Sequence, residues 1–138
     1  MNRMNGQAST RVTNNHMSFN RITVAVFASI LILVGIAGVL IPADKSLTSG
    51  AVPYNLFHIV FGLIGLLVFW SRNELFAAYF NVGFGLIDLY QAVASYLRWP
   101  PKQYFLWTRV DDTLHVIIGL ALAIIGAYAL LKHQEKTT

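Results

Sequence analysis

The sequence has no cysteine and few charged residues, and each shortage removes a class of function. Without a thiol among its 138 residues, the chain has no disulfide, no thiolate metal site and no cysteine nucleophile. Asp, Glu, Lys and Arg make up 12% of the chain, whereas about a quarter is usual in soluble domains. The basic residues give a net charge of +4 but form no stripe, so we expect no binding to nucleic acid.

Apolar residues, at 56% of the chain, are present in excess and fall into four long runs. The runs cover residues 22–41, 52–70, 75–97 and 113–131. Each has about 20 residues, the length that an α-helix needs to cross roughly 30 Å of hydrocarbon. Backbone groups in lipid must form hydrogen bonds within their own segment, which favours helices over strands. The sequence therefore predicts an all-α integral membrane protein, a bundle of four transmembrane helices within residues 21–131.

Polar residues flank this predicted domain. Residues 1–20 are predicted to form a mobile tail, with Met17 as an alternative start to Met1, and residues 132–138 form a second tail. An even number of crossings places both tails on one side of the membrane. That side carries Arg3, Arg11, Arg21, Arg72, Lys132 and Lys136, and the other carries Lys45, Arg98, Lys102 and Arg109. This bias of basic residues predicts that both termini are cytoplasmic.

One short pattern occurs twice, 57 residues apart. The copies are Asn55-Leu-Phe-His58-Ile-Val-Phe-Gly62 and Asp112-Thr-Leu-His115-Val-Ile-Ile-Gly119. Spacings of three and four residues place the polar groups and the glycine on one face of a helix. Each copy lies in the second helix of a predicted pair, so we predict a parallel two-helix repeat about the membrane normal. The first helices of the pairs match only loosely, Val34-Gly35 against Val82-Gly83.

The third apolar run carries a polar and small-residue stripe that includes Asp88. The stripe comprises Asn81, Gly85, Asp88, Gln91 or Ala92, and Ser95. It must face protein, because an aspartate in the middle of a membrane helix costs about 2.5–3.5 kcal/mol. We therefore predict a buried cluster of His58, Asp88 and His115 at one depth in the outer leaflet. Asn55 and Asp112 are its predicted orienting neighbours.

The connection before the fourth run, residues 98–111, contains Trp99, Tyr104 and Trp107 beside basic residues. This composition is typical of an aromatic belt at the level of the lipid headgroups, with a ligand lid as the alternative. Asp112 could cap the following helix, and Asp111 is otherwise expected to be solvated.

These features favour a non-enzymatic membrane protein whose cluster fixes helix packing or a partner interface. The glycines expected at helix contacts are Gly62, Gly65, Gly119 and Gly126. Its expected partners are membrane lipid, a larger membrane complex, or a second copy of the chain bound through Gly35 and Gly38.

Three other functions remain open at this stage. His58 and His115 could ligate a haem iron, although no cofactor is the primary expectation. The cluster of His58, Asp88 and His115 could instead handle protons or a small solute. The same three side chains could bind a metal, but the chain has no catalytic metal motif such as HExxH.

The paired motifs also resemble a family of small bacterial integral membrane proteins that is known only as a domain of unknown function. The resemblance rests on Asn55, His58, Gly62, Asp112, His115 and Gly119. It implies a four-helix fold across residues 21–131 and a place in the bacterial inner membrane. It implies no activity.

Overall fold

The computed structural model describes residues 18–135, which form helices and connections but no strand. The α-helices are α1 (Phe19–Leu40), α2 (Val52–Trp70), α3 (Glu74–Leu97), α4 (Lys102–Phe105) and α5 (Arg109–Glu135). The prediction of an all-helical chain is confirmed, and α1, α2 and α5 are long and apolar enough to cross a membrane. Most of the predicted tail at 1–20, with both candidate start residues, and residues 136–138 lie outside the described part.

Polar caps move two helix starts away from the ends of the apolar runs. The α1 helix begins at Phe19, three residues before the predicted start, because Ser18 Oγ accepts a hydrogen bond from the Arg21 N–H. The α5 helix begins at Arg109, four residues early, with a reciprocal capping box. Thr108 Oγ1 accepts from the Asp111 N–H at 3.3 Å, and Asp111 Oδ2 accepts from the Thr108 N–H at 2.7 Å.

The long helices pack as two close pairs, α1 with α2 and α3 with α5. Glycine makes both contacts close: a Cβ at Gly62 would lie 2.8 Å from the Ala28 carbonyl oxygen, and one at Gly119 would lie 2.9 Å from the Gly85 carbonyl oxygen. Added Cβ atoms at Gly65 and Gly126 would also come within 3.0 Å of the facing helix. All four predicted packing glycines thus lie where two helix backbones approach each other.

Gly35 and Gly38 also lie inside the first pair. A Cβ on Gly35 would lie 2.7 Å from the Asn55 carbonyl oxygen, and one on Gly38 would overlap the Asn55 side chain. These glycines therefore face α2. The predicted use of this face for a second copy of the chain is wrong, because its space is already filled within one molecule.

The two pairs meet mainly where α1 faces α3. At the centre the rings of Phe27 and Phe84 pack edge to face with centroids 5.0 Å apart, joined by Leu31 and Leu122. The predicted α3 stripe is buried there, which confirms that it faces protein: Asn81, Gly85, Asp88, Gln91 and Ser95. The opposite face of α3 exposes Phe76, Tyr79, Leu86, Tyr90 and Val93.

The bundle has two different ends. At the capped end, the connections at residues 41–51 and 98–108 fold over the start of α2 and the start of α5. At the terminal end, α1 begins, α5 ends and a short turn joins α2 to α3. There Asn81 Nδ2 donates to Asn20 Oδ1 at 2.6 Å, which links the two pairs.

The close approach of α3 and α5 predicts the effect of a matched pair of glycine substitutions. In Gly85→Ala the new Cβ would lie 2.6 Å from the Ala123 nitrogen, so we expect a loss of about 1–3 kcal/mol in unfolding free energy. Gly83→Ala, on the same helix, has no atom within 4 Å of the new Cβ and should be neutral or stabilising. Thermal unfolding in mild detergent measures both, and equal destabilisation by the two changes would contradict this packing.

Candidate functional site

The most densely bonded side chain described is the carboxylate of Asp111, which is fully buried. Its Oδ1 accepts a hydrogen bond from the Tyr54 hydroxyl at 2.7 Å. Its Oδ2 accepts from the Ser49 N–H at 2.9 Å and from the N–H and hydroxyl of Thr108 at 2.7 and 2.9 Å. The carboxylate thus accepts four hydrogen bonds, three at Oδ2 and one at Oδ1. Asp111 was expected to be solvated, and that expectation is wrong because the capping box draws it into the bundle.

These hydrogen bonds join parts of the chain that are far apart in sequence. Tyr54 lies in the first turn of α2, Ser49 in the connection before it, and Thr108 next to the start of α5. Two further contacts tie the connections together: the Ser49 hydroxyl donates to the Phe105 carbonyl, and the Leu47 carbonyl oxygen lies 3.2 Å from the Thr108 hydroxyl, as an alternative acceptor for the proton that bonds to Asp111. Asp111 therefore holds α2, α5 and both connections of the capped end in one arrangement.

Both histidines of the repeated motif are buried near the hydrogen bond between Tyr54 and Asp111. The Tyr54 ring contacts His58, with centroids 4.1 Å apart, and lies 6.4 Å from the His115 ring. His58 Nδ1 lies 2.8 Å from the Tyr54 carbonyl oxygen, one helical turn earlier. Asp111 acts electrostatically on both imidazoles. We refer to Tyr54, His58, Asp111 and His115 together as the Asp111 cluster.

The short helix α4 and the residues after it cover the cluster. Trp107 is buried edge-on against the His115 ring, with centroids 5.6 Å apart, and Phe105 packs 6.1 Å from Tyr54. The Lys102 ammonium donates to Ser95 Oγ at 2.8 Å and to the Trp107 carbonyl at 2.5 Å, which fastens this segment to α3.

The predicted aromatic belt is thus divided. Trp99 and Tyr104 are exposed, with 51% and 63% of their surface accessible, as a belt at the headgroup level requires. Trp107 instead belongs to the interior, so the belt interpretation is wrong for that residue. Residues 98–108 therefore expose two aromatic side chains and bury a third, which helps to close the capped end.

Asp88 does not pair with the histidines as predicted. It is buried on α3 beside Gly119, whose added Cβ would lie 3.0 Å from the Asp88 Cβ. Among residues 18–135 its carboxyl group forms no hydrogen bond to either imidazole, and the carboxylate bonded within the cluster is Asp111. All three residues of the predicted cluster are buried, but the carboxylate that forms hydrogen bonds beside the histidines is Asp111, 23 positions further along the chain.

Asn55 and Asp112 do not orient the imidazoles through hydrogen bonds. Asn55 packs into the notch left by Gly38 on α1, and its Oδ1 has no hydrogen-bond partner. Asp112 Oδ1 is also without a partner in the described chain, although its charge acts on His115. The position that orients His58 is Tyr54, one residue before the motif, through its carbonyl oxygen.

The sequence did contain signals for the missing residues. Thr108 and Asp111 have the spacing of a capping box, with aspartate in the place of the usual glutamate. Tyr54 and Asp111 are also 57 residues apart, the separation of the two motifs, and each immediately precedes its copy. Extending the repeat by one residue would have included both.

The interactions seen at the cluster are hydrogen bonds and contacts between rings. Within residues 18–135, no group of three or more His, Asp or Glu side chains is placed to hold a metal ion. In this part of the chain, His115 Nδ1 and Trp107 Nε1 are buried without a hydrogen-bond partner.

Comparisons with family models, with curated proteins and with solved structures returned no match to this chain. The resemblance carried by the two motifs therefore stays a prediction. The geometry of the Asp111 cluster is the basis for interpreting the site.

The contacts of Asp111 predict a difference between two neighbouring aspartates. Asp111→Asn presents an amide N–H₂ where a carboxylate oxygen now accepts from N–H and O–H donors, so we expect a loss of about 1–3 kcal/mol in unfolding free energy. Asp112→Asn, which breaks no hydrogen bond seen in the structure, should change it by less than about 0.5 kcal/mol. Tyr54→Phe should destabilise the protein less when Asp111 is already Asn, and a double-mutant cycle measures that coupling. Equal effects of the two aspartate changes would contradict the assignment.

Proposed function

We propose that the chain is a non-enzymatic integral membrane protein in which all four long helices cross the bilayer and the Asp111 cluster fixes how they assemble. The outward faces of the helices support the membrane placement. Large apolar side chains such as Leu33, Leu67 and Ile124 are more than 60% exposed, and such side chains occur along every long helix. Water would disfavour so much exposed apolar surface, whereas lipid would cover it.

Among the four long helices described, α3 is the one that its length and composition alone do not identify as a membrane span, but its orientation supports a crossing. It has 24 residues, enough to span the hydrocarbon, and it packs along α5 for most of its length. Its polar side chains lower its mean hydropathy, but they are the ones turned inwards. The surface that α3 would present to lipid is apolar and aromatic.

A parallel repeat is supported by burial at matching positions 57 residues apart. Buried positions in α1 and α3 correspond as Asn20 with Ala77, Val24 with Asn81, Phe27 with Phe84, Ala28 with Gly85, and Leu31 with Asp88. Those in α2 and α5 correspond as Tyr54 with Asp111, His58 with His115, Gly62 with Gly119, and Gly65 with Leu122. One offset thus relates both helices of the first pair to both helices of the second.

Two contacts between corresponding residues also favour a pseudo-two-fold axis. Phe27 packs against Phe84, and Tyr54 forms a hydrogen bond with Asp111. Residues that lie near a two-fold axis contact their own equivalents in this way. The axis would run along the bundle through the apolar centre and the capped end.

The observation that carries the functional proposal is that every hydrogen bond of Asp111 goes to another part of the same chain. Three of these hydrogen bonds are accepted by Oδ2 and one by Oδ1, and together they join the two helix pairs and close the capped end. In this proposal Asp111 makes one arrangement of the two helix pairs strongly preferred over others.

The haem and proton-handling alternatives have weaker support. His58 Nδ1 faces a backbone carbonyl, and aromatic rings pack around both imidazoles. The unpartnered nitrogen of His115 is the observation that would favour a ligand or a proton carrier. A Soret band in the absorption spectrum of the purified protein would favour haem over this proposal.

Four crossings predict a definite pattern of labelling from the two sides of the membrane. Single cysteines can be introduced cleanly, because the chain has none. Arg72→Cys, between α2 and α3, should react with an impermeant maleimide only after permeabilisation, and Tyr104→Cys, after α3, should react in intact cells. Asp44→Cys should behave like Tyr104→Cys in either orientation, and labelling of both in intact cells is the result expected for cytoplasmic termini. Labelling of positions 72 and 104 from the same side would show that α3 does not cross.

A further inference from the structure

A groove at the terminal end has no role in the Asp111 cluster. It has a volume of about 560 Å³ and lies between the beginning of α1, the beginning of α3 and the last turns of α5. This volume is in the range of sites that bind small molecules. Its inner wall is formed by the apolar residues Ala78, Ile125 and Ala129, and its charged residues Glu74 and Lys132 lie nearer the helix ends.

The pair formed by α1 and α2 differs from the pair formed by α3 and α5 at the terminal end, where the groove lies. In the first pair, Arg21 Nη2 donates to the Phe69 carbonyl at 3.2 Å, and the guanidinium lies 5.4 Å from the Phe69 ring. The position 57 residues after Arg21 is Ala78, whose small side chain lines the groove, and the position 57 residues after Phe69 is Gly126, which packs directly against the backbone of Ala78 and Val82. At the same end, a short turn joins α2 to α3. Within residues 18–135 no connection joins the beginning of α1 to the end of α5, and the groove lies between these two helix ends.

Two charged residues of opposite sign line the groove. Glu74 opens α3, and its half-exposed side chain accepts a hydrogen bond from Ser18 and lies 4.0 Å from Arg21 Nε. Lys132 lies in the last turn of α5, with its ammonium 4.7 Å from the centre of the Tyr128 ring. Among the described residues no ion pair joins Lys132 to Glu74. The groove thus offers an anion-binding group and a cation-binding group to one ligand.

We propose that this groove binds a zwitterionic phospholipid with a primary amine headgroup, its phosphate on Lys132 and its ammonium on Glu74. The inference rests on the membrane placement proposed above, which puts the helix ends at the headgroup level. Apolar residues followed by charged ones match the order of acyl chain and headgroup in a phospholipid. A primary ammonium can donate hydrogen bonds to Glu74, whereas a trimethylated amine cannot, and an anionic headgroup offers no cation.

The test compares lipids on the full-length protein purified in mild detergent. Phosphatidylethanolamine, phosphatidylcholine and phosphatidylglycerol with the same acyl chains are added in turn, and the thermal unfolding midpoint is followed against lipid concentration. We expect the largest upward shift and the lowest half-saturating concentration for phosphatidylethanolamine. Lys132→Ala should raise that concentration about tenfold, the loss expected for one charge-assisted contact. Glu74→Gln should remove the preference over phosphatidylglycerol.

Arg72→Ala is the matched control, because it removes a positive charge at the same end of the bundle but outside the groove. It should keep the preference of the unaltered protein. Equal shifts for the three lipids with the unaltered protein would overturn the proposal even if a variant failed to fold. So would equal losses in Lys132→Ala and Arg72→Ala, which would indicate general lipid contact. Neither result would alter the labelling of positions 72 and 104, so failure of this inference is distinguishable from failure of the membrane placement.

Discussion

A carboxylate enclosed by protein needs a hydrogen-bond donor for each of its acceptor positions, and Asp111 obtains four. An uncompensated charge in such an environment would be very costly. The donors come from α2, from the connection before it and from the cap of α5. Each of these segments must be in place before the others are fully bonded. The closing of the capped end, the burial of Trp107 and the positions of both histidines depend on that requirement.

The same hydrogen bond explains why the two halves of the molecule cannot be identical. Tyr54 and Asp111 lie at corresponding positions and bond to each other. Two tyrosines or two aspartates at these positions could not reproduce a phenol donating to a carboxylate. The pairs differ again at the opposite end, where Arg21 bonds to Phe69 in the first pair, whereas Gly126 packs directly against Ala78 in the second. In our proposal the first difference joins the pairs, and the second lies beside the lipid groove.

The sequence predicted most of the helices but less of the site, for identifiable physical reasons. The α2 helix begins and ends as predicted because its apolar run coincides with the helix, whereas polar caps begin α1 and α5 earlier. Asp88 was predicted to pair with the histidines because it lies at a similar depth. Asp111 was missed because a residue beside a polar connection resembles a solvated one. Only the folding of the connection at residues 98–108 over the bundle buries it.

The proposed repeat has a different register in its first helices from the one predicted. Val34-Gly35 was compared with Val82-Gly83, yet Gly35 packs against α2 while Gly83 has open space beside it. The register proposed from burial pairs Ala28 with Gly85. Of the paired buried positions in these helices, Phe27 and Phe84 keep the same residue. The paired positions of α1 and α3 are buried in both helices although most of their residues differ. Helix packing constrains the size of a side chain more than its identity.

The central claim, that Asp111 holds the two helix pairs together at the capped end, is tested most directly by a distance measurement across that end. Nitroxide labels on cysteines at the exposed positions Leu56 and Leu114 would report the separation of α2 and α5 in lipid nanodiscs by pulsed electron paramagnetic resonance. If Asp111 holds the helix pairs together, the unaltered protein should give one narrow distance distribution. The distribution should broaden in Asp111→Asn and stay narrow in Asp112→Asn. A distribution that Asp111→Asn leaves unchanged would contradict it.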